Sequence, residues 1–307
     1  MIDPRIDERW GGTTMTRTIL IVSLAVGLAT DVASAVLQEV RPTLVRGCGP
    51  NAVIAGTVCL DTYEESVWRV PNATTTNAGL VRRIQSGRAS RADLTAAGAK
   101  QLGTTVDYAP CKDNGQNCAN DIYAVSLPSE IPSKRITWFQ AQEACANSGK
   151  RLPTNAEWQV GANGTPDPGP DNGTTDCNSD TGAVSLTGSR SSCVSARGAF
   201  DMVGNLAEWV ADWVPLSTQC PGWGAFSDDA MCLAGASEIG FGPGALLRGG
   251  AFSSTFGGTT AGPFHVHGGF EPGGSTAFIG FRCVREAPPV SAGLQVGDDP
   301  ATDRIRR

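Results

Sequence analysis

Hydrophobic and polar positions change period several times along this chain, and each change marks an element. Ile19–Leu28 is an unbroken apolar run behind the basic start Met15-Thr16-Arg17-Thr18. Ala33-Ser34-Ala35 follows, a small-residue pattern that predicts export with cleavage before Val36 and a true start at Met15. The run is too short to span a bilayer comfortably, so no stable membrane span is expected. Residues 36–58 read as a mature lead. β-Branched and aromatic residues in Thr57–Trp68 predict a strand and its exit. Ala73–Gly103 reads as an insertion in which Ser90 and Asp93 are placed to cap a helix. Arg82, Arg83, Arg88 and Arg91 around that cap read as a solvated face. Ile136–Ser148 sets Trp138, Ala141 and Cys145 on one helical face, and Gly149 is placed to stop it. Pro153-Thr154 opens a second helix, with a capping box from Thr154 to Glu157 and Trp158 turned inward. Periodicity is then lost: Gly161–Gly188 is rich in Gly, Pro, Asp and Asn and predicts loop. Ala287–Arg307, charged and poor in apolar residues, predicts a disordered tail.

Composition agrees with short strands and long loops. The chain has 38 Gly and 19 Pro, and only 18% of its residues are charged. A net charge of -6 argues against a nucleic-acid partner, which would need a positive face. There are 10 cysteines, all after the expected cleavage site, and no CxxC pair. That pattern suits disulfides in an exported protein, periplasmic or extracellular, better than metal sites in a reducing cytosol. Proximity suggests the staples Cys48–Cys59, Cys111–Cys118, Cys177–Cys193 and Cys220–Cys232. Cys145 and Cys283 remain, on the first core helix and the last strand, although sequence alone leaves connectivity open.

Two stretches carry candidate chemistry. Asp201-Met202-Val203-Gly204-Asn205-Leu206-Ala207-Glu208 has two carboxylates around a tight turn, the oxygen-rich arrangement that hard cations need. Ala251–Ala277 interleaves Phe252, Phe256, Phe264 and Phe270 with Ser, Thr, Gly and two histidines and is almost free of charge. Aromatics with small polar partners suit recognition. His265 and His267 stand at i, i+2, on one face of a strand. They could hold Zn²⁺ with Glu271, but no HxxxH or HExxH pattern accompanies them, and residues of a ligand groove are the better reading.

Four blocks occur in a fixed order: Arg151-Leu152-Pro153-Thr154-Asn155-Ala156-Glu157-Trp158, then Asp201–Trp209, Arg248-Gly249-Gly250, and Gly280-Phe281-Arg282-Cys283. Together they resemble the formylglycine-generating enzyme (sulfatase-modifying factor) family. The resemblance covers roughly residues 59–286. It implies an α+β, C-type-lectin-like fold, loop-rich with short strands and two core helices and stapled by disulfides. It also supports the long bridge Cys145–Cys283. It implies calcium at Asp201 and Glu208 by side chain and at Gly204 and Leu206 by carbonyl, with Asn178 matching one ligand of a second calcium site. Formylglycine-generating members use a copper-binding cysteine pair soon after the Arg-Gly-Gly element. Ser254 and Thr259 stand at those positions here, and hydroxyls are poor Cu(I) ligands. A second enzymatic branch needs a three-histidine iron site, and this chain has only two histidines. The resemblance places a ligand face on Phe252, Ser254, Phe256, Phe264, His265, His267 and Phe270. A similar layout occurs in variable proteins of diversity-generating retroelements. The expectation is an exported, calcium-stabilised binding protein for a protein or glycan ligand, without copper. The alternatives are a divergent oxidase or other metal-dependent enzyme of the family, and a retroelement variable protein.

Overall fold

Strand β2 (Val58–Asp61) joins the beginning of the fold to its end. It pairs antiparallel with β1 (Ala52–Ala55) on one side and with β13 (Val284–Glu286) on the other. All four of its residues are buried. The computed structural model describes residues 47–167, 171–229, 231–237, 242–253 and 261–289. The expected signal segment, most of the lead, the tail from residue 290, and Ser254, Phe256 and Thr259 lie outside them. Among the described residues no helix is long and apolar enough to cross a membrane.

A second sheet of three strands has the order β4 (Lys100–Leu102), β3 (Glu65–Arg69), β5 (Ile122–Ser126), all antiparallel. The expected insertion contains two helices where one is anticipated. These are α1 (Ala78–Gln85) and α2 (Arg91–Ala96). The second has the Ser90–Asp93 capping box read from sequence. The first lacks a side-chain cap, which removes the strongest local signal of a helix start. It is held instead by Leu80 and Ile84, which pack with Leu94, Trp68 and Tyr123. The four arginines are exposed as expected, with Arg83 paired to Asp93 and Arg91 to Glu130.

The two core helices follow. α3 (Trp138–Asn147) starts at a capping box between Thr137 and Gln140 and buries Ala141 and Cys145. Gly149 follows it at φ 67°, the left-handed conformation that ends helices. α4 (Asn155–Ala162) has the Thr154–Glu157 capping box, and Trp158 is fully buried. No regular element is found among the described residues between α4 and residue 188, in line with the loop reading.

The largest sheet carries parts of three of the four blocks. Its order is β12 (Ile279–Phe281), β6 (Ala207–Pro215), β10 (Pro243–Arg248), β11 (Val266–Phe270) and β8 (Met231–Cys232). β6–β10 and β10–β11 are antiparallel, whereas β12–β6 and β11–β8 are parallel. A register shift between Ala245 and Leu247 bends β10. A small ribbon, β7 (Ser217–Gln219) with β9 (Ala234–Ala236), completes the strands described. Helix α3 and the β6–β10–β12 strands share one core around Trp209, Phe281 and Cys145, and α4 packs Trp158 with Leu60, Met202 and Val284 in a second.

All five anticipated disulfides are present: Cys48–Cys59, Cys111–Cys118, Cys145–Cys283, Cys177–Cys193 and Cys220–Cys232. The Cys145–Cys283 bridge ties α3 to the chain just past β12 across a sequence separation of 138.

Candidate functional site

The Asp201–Glu208 block is a turn that only certain residues can make. Asp201, Gly204 and Asn205 have φ of 56°, 73° and 54°. Asp and Asn tolerate this left-handed region and Gly adopts it freely. At Gly204 space decides as well: a Cβ there would lie 2.2 Å from the carbonyl oxygen of Asn178. The turn thereby presses against the preceding loop. Asn205 N–H donates to that Asn178 oxygen at 2.7 Å, and Gly204 N–H donates to Gly249 O at 3.1 Å.

Around the turn lies a buried polar hub. Asn205 Nδ2 donates to Glu64, and Leu206 N–H donates to Glu64 Oε1 at 2.9 Å. Gly188 N–H donates to Asp201 Oδ2 at 2.7 Å. Glu208 accepts from Arg282 through both oxygens, at 2.6–3.0 Å, and from Trp158 Nε1 at 2.6 Å. Arg282 also donates to the carbonyl oxygens of Asp61, Thr62 and Phe200. Glu64, Asp201, Glu208 and Arg282 are all buried. Three carboxylates share one guanidinium at the centre. Burial, then the charges of Asp201 and Glu208, push the Glu64 carboxyl well above the usual range.

Burial likewise raises Asp201 to about 6 from 3.8, with the Glu208 charge adding to it. A carboxyl raised in the fold binds its proton more tightly folded than unfolded. Its contribution to stability is present below pH about 4 and is lost as pH rises through about 6. Asp201→Asn should remove that loss, because an amide cannot ionise, still accepts from Gly188 and suits a φ of 56°. Urea unfolding at pH 4 and pH 7 should show the variant gaining on the wild type by an amount on the order of 1–3 kcal/mol at the higher pH. Equal pH dependence in both proteins would refute this account.

The same geometry bears on the calcium expectation. The oxygens of Glu208 are saturated by Arg282 and Trp158, so a cation there would face a guanidinium. The Asn178 side chain is also engaged: its amide donates to Ala183 O, Ser185 Oγ and Asn205 Oδ1, and its oxygen accepts from Thr181. Gly204 and Leu206 offer carbonyls without charge, and Asp201 alone does not make a cage of oxygens. Among Asp201, Gly204, Leu206, Glu208 and Asn178, it is Glu208 that Arg282 supplies with positive charge. Arg282 was visible in the sequence as a charge inside an apolar strand end, flanked by Phe281 and Cys283, but nothing local names its partner.

The expected ligand face is corrected in part. β11 lies between β10 and β8, and its first three residues, Val266, His267 and Gly268, are buried. His265 and His267 do lie side by side, with ring centroids 6.4 Å apart, yet both are buried. His267 Nδ1 accepts from Gly269 N–H, and burial lowers its pKa, which keeps the ring neutral at pH 7. The two histidines form no cluster with Glu271 within metal-binding reach among the described residues. Phe252 is buried against Phe278, and Phe270 packs on His267. Of the described members only Phe264 joins an exposed group. It meets Trp223 at 5.7 Å and Phe226 at 5.0 Å between ring centroids. Phe226 is 68% exposed and Trp223 38%. Sequence reasoning passed over both; the available signal was two large aromatics inside the short loop closed by Cys220–Cys232.

The Arg248-Gly249-Gly250 element connects these regions. Arg248 is buried over the Trp158 ring and donates to Asn155, Gln159 and Pro263 O. Gly250 has φ 75°, and a Cβ would lie 2.5 Å from Ala261 Cα. The second glycine is therefore required by a close backbone approach.

Comparison with known proteins bears on these blocks. A family model described as the sulfatase-modifying factor enzyme 1-like domain matches residues 100–287, more than half of the chain. No curated protein matches. Among solved structures, the Major Tropism Determinant P3c variant is similar at 18% identity and a TM-score of 0.40, covering 76% of this chain and 51% of that one. CarF is similar at 20% identity and a TM-score of 0.32, covering 51% of this chain and 68% of that one. The chain thus spans about half the length of the Major Tropism Determinant chain it matches. With its Arg151–Trp158, Asp201–Trp209, Arg248–Gly250 and Gly280–Cys283 blocks inside the matched span, the chain belongs to the sulfatase-modifying factor enzyme 1-like domain family.

Proposed function

We propose that this chain is an exported ligand-binding member of its family that lacks copper–thiol oxidation. The observation that carries the reading is the state of the cysteines: all 10 are joined in five disulfides and none is free. A Cu(I) centre needs thiolate ligands, and Ser254 and Thr259 stand where the resemblance places them. Five bridges also suit an oxidising compartment, periplasmic or extracellular.

Ligand contact is assigned to Trp223, Phe226 and Phe264. Their rings are tilted against one another by 40–60°, which makes a knob rather than a flat shelf. A knob inserts into an apolar pocket on a protein partner better than it stacks on a sugar ring. Large aromatics at such positions dominate protein interfaces.

One experiment tests both parts. With copper supplied, the purified protein should leave a cysteine-containing sulfatase peptide unoxidised by mass spectrometry. On protein and glycan arrays it should capture a protein ligand, and Trp223→Ser with Phe226→Ser should abolish capture while stability changes by only about 0.5 kcal/mol per exposed site. Copper-dependent conversion of the peptide to formylglycine would replace this reading with an oxidase. Capture indifferent to both substitutions would move the ligand face elsewhere.

A further inference from the structure

Among the described residues, three groups of metal-ligating side chains have their ligand atoms within 4.8 Å of one another. Two are accounted for. Asp61, Glu65 and Cys283 surround the buried Lys150, whose ammonium pairs with both carboxylates, and Cys283 is disulfide-bonded. Cys220, Cys232 and His267 include a disulfide, so neither sulfur is a thiolate. The third group, Asp167, Asp228 and Asp229, consists of carboxylates alone.

We infer that Asp167, Asp228 and Asp229 form a binding site for a hard divalent cation of the calcium class, distinct from the Asp201–Glu208 hub and independent of the ligand reading above. The buried member points to it. Asp229 is fully buried; its Oδ2 accepts from Phe264 N–H at 2.8 Å, but its Oδ1, equally buried, has no hydrogen-bond donor. A buried carboxylate oxygen without a donor is costly, and two further carboxylates nearby add to that cost. The charge of Arg248 offsets part of that cost from a distance but gives Oδ1 no hydrogen bond. Its Nη atoms bond to Asn155, Gln159 and Pro263 O, and no ion pair within 4.0 Å joins it to Asp229. On one side Oδ1 packs against Gly262, where a Cβ would come within 1.7 Å of that oxygen.

The donor set selects the ion class. Three carboxylate oxygens are hard ligands suited to Ca²⁺ or Mg²⁺ rather than to zinc or copper. Ca²⁺ holds oxygens at about 2.3–2.6 Å, so ligands on opposite sides stand up to roughly 5 Å apart, whereas Mg²⁺ demands a tighter octahedron. Asp167 and Asp228 are exposed, which leaves the remaining coordination positions open to water. A cation here tethers the loop after α4, which carries Asp167, to the Cys220–Cys232 loop, which carries Trp223 and Phe226.

The test uses the intact, disulfide-bonded chain after chelator treatment. Tb³⁺ serves as a calcium-sized probe, with indole excitation transferring energy from nearby tryptophans. Saturable Tb³⁺ emission, displaced by Ca²⁺ at up to about 1 mM and poorly by Mg²⁺, is expected. Asp167→Asn and Asp228→Asn, both at exposed positions, should each weaken Tb³⁺ and Ca²⁺ binding by about tenfold or more. Trp223→Phe should dim the emission while calorimetric Ca²⁺ affinity stays the same, and Asp201→Asn should change neither. The inference is overturned if no saturable binding occurs, if Asp167→Asn and Asp228→Asn bind like the wild type, or if Asp201→Asn is the variant that loses the ion.

Discussion

Arg282→Met should lower the folding stability by about 3–5 kcal/mol, the loss found when one partner of a buried ion pair is removed. The physical reason is the number of groups that depend on it. Arg282 satisfies both oxygens of Glu208 and three backbone carbonyls, from Asp61, Thr62 and Phe200. Glu64 and Asp201 lie close enough to feel its charge. Without the guanidinium, buried carboxylates face one another, and each must find a proton or a cation. Glu208→Gln added to Arg282→Met should restore part of the loss, because a neutral amide leaves less uncompensated charge and still accepts from Trp158. Denaturant unfolding of the two single variants and the double variant measures this. A loss below about 1 kcal/mol for Arg282→Met would mean that the hub tolerates its charges without the arginine. Full calcium-dependent rescue of that variant would mean that a cation can take the arginine's place.

Removing the Cys145–Cys283 bridge should cost about 5 kcal/mol, against roughly 2.5 kcal/mol for Cys111–Cys118, if each acts by restricting the unfolded chain. The difference follows from sequence separations of 138 and 7. The long bridge links α3, in the first half of the fold, to the strand ends that close it. Its sulfurs lie in the core shared with Trp209 and Phe281, so replacing both cysteines by alanine also leaves unfilled volume. The paired variants Cys145→Ala/Cys283→Ala and Cys111→Ala/Cys118→Ala avoid stray thiols. In thermal melts the first should fall further than the second. The reverse order would show that native-state packing, rather than loop closure, sets the worth of these bridges.

Much of the framework was legible because its causes are local. A capping box needs a hydroxyl and an acceptor three residues apart, and the sequence shows this at Ser90–Asp93 and Thr154–Glu157. Short disulfide loops need nearby cysteines, and the four local bridges follow chain proximity. Helix α1 was missed because no cap marks its start and its burial depends on Trp68 and Tyr123, which come from other elements.

The candidate sites divide along the same line. From the sequence alone came the tight turn at Gly204, because left-handed backbone favours glycine, and the pairing of His265 with His267 on one side of a strand, because side chains alternate with period two. Tertiary structure decided what those residues face. Packing buries Phe252, His265 and His267 and turns that part of an expected ligand face inward. The parallel register of β12 with β6 brings Arg282 onto Glu208 across 74 residues, taking the oxygens that the block had seemed to offer to calcium. Folding of the disulfide loop gathers Trp223 and Phe226 beside Phe264 and sets Asp228 and Asp229 near Asp167. Side-chain period and backbone conformation are properties of adjacent residues. Burial and charge pairing between distant residues are properties of sheet register, which short stretches of sequence do not encode.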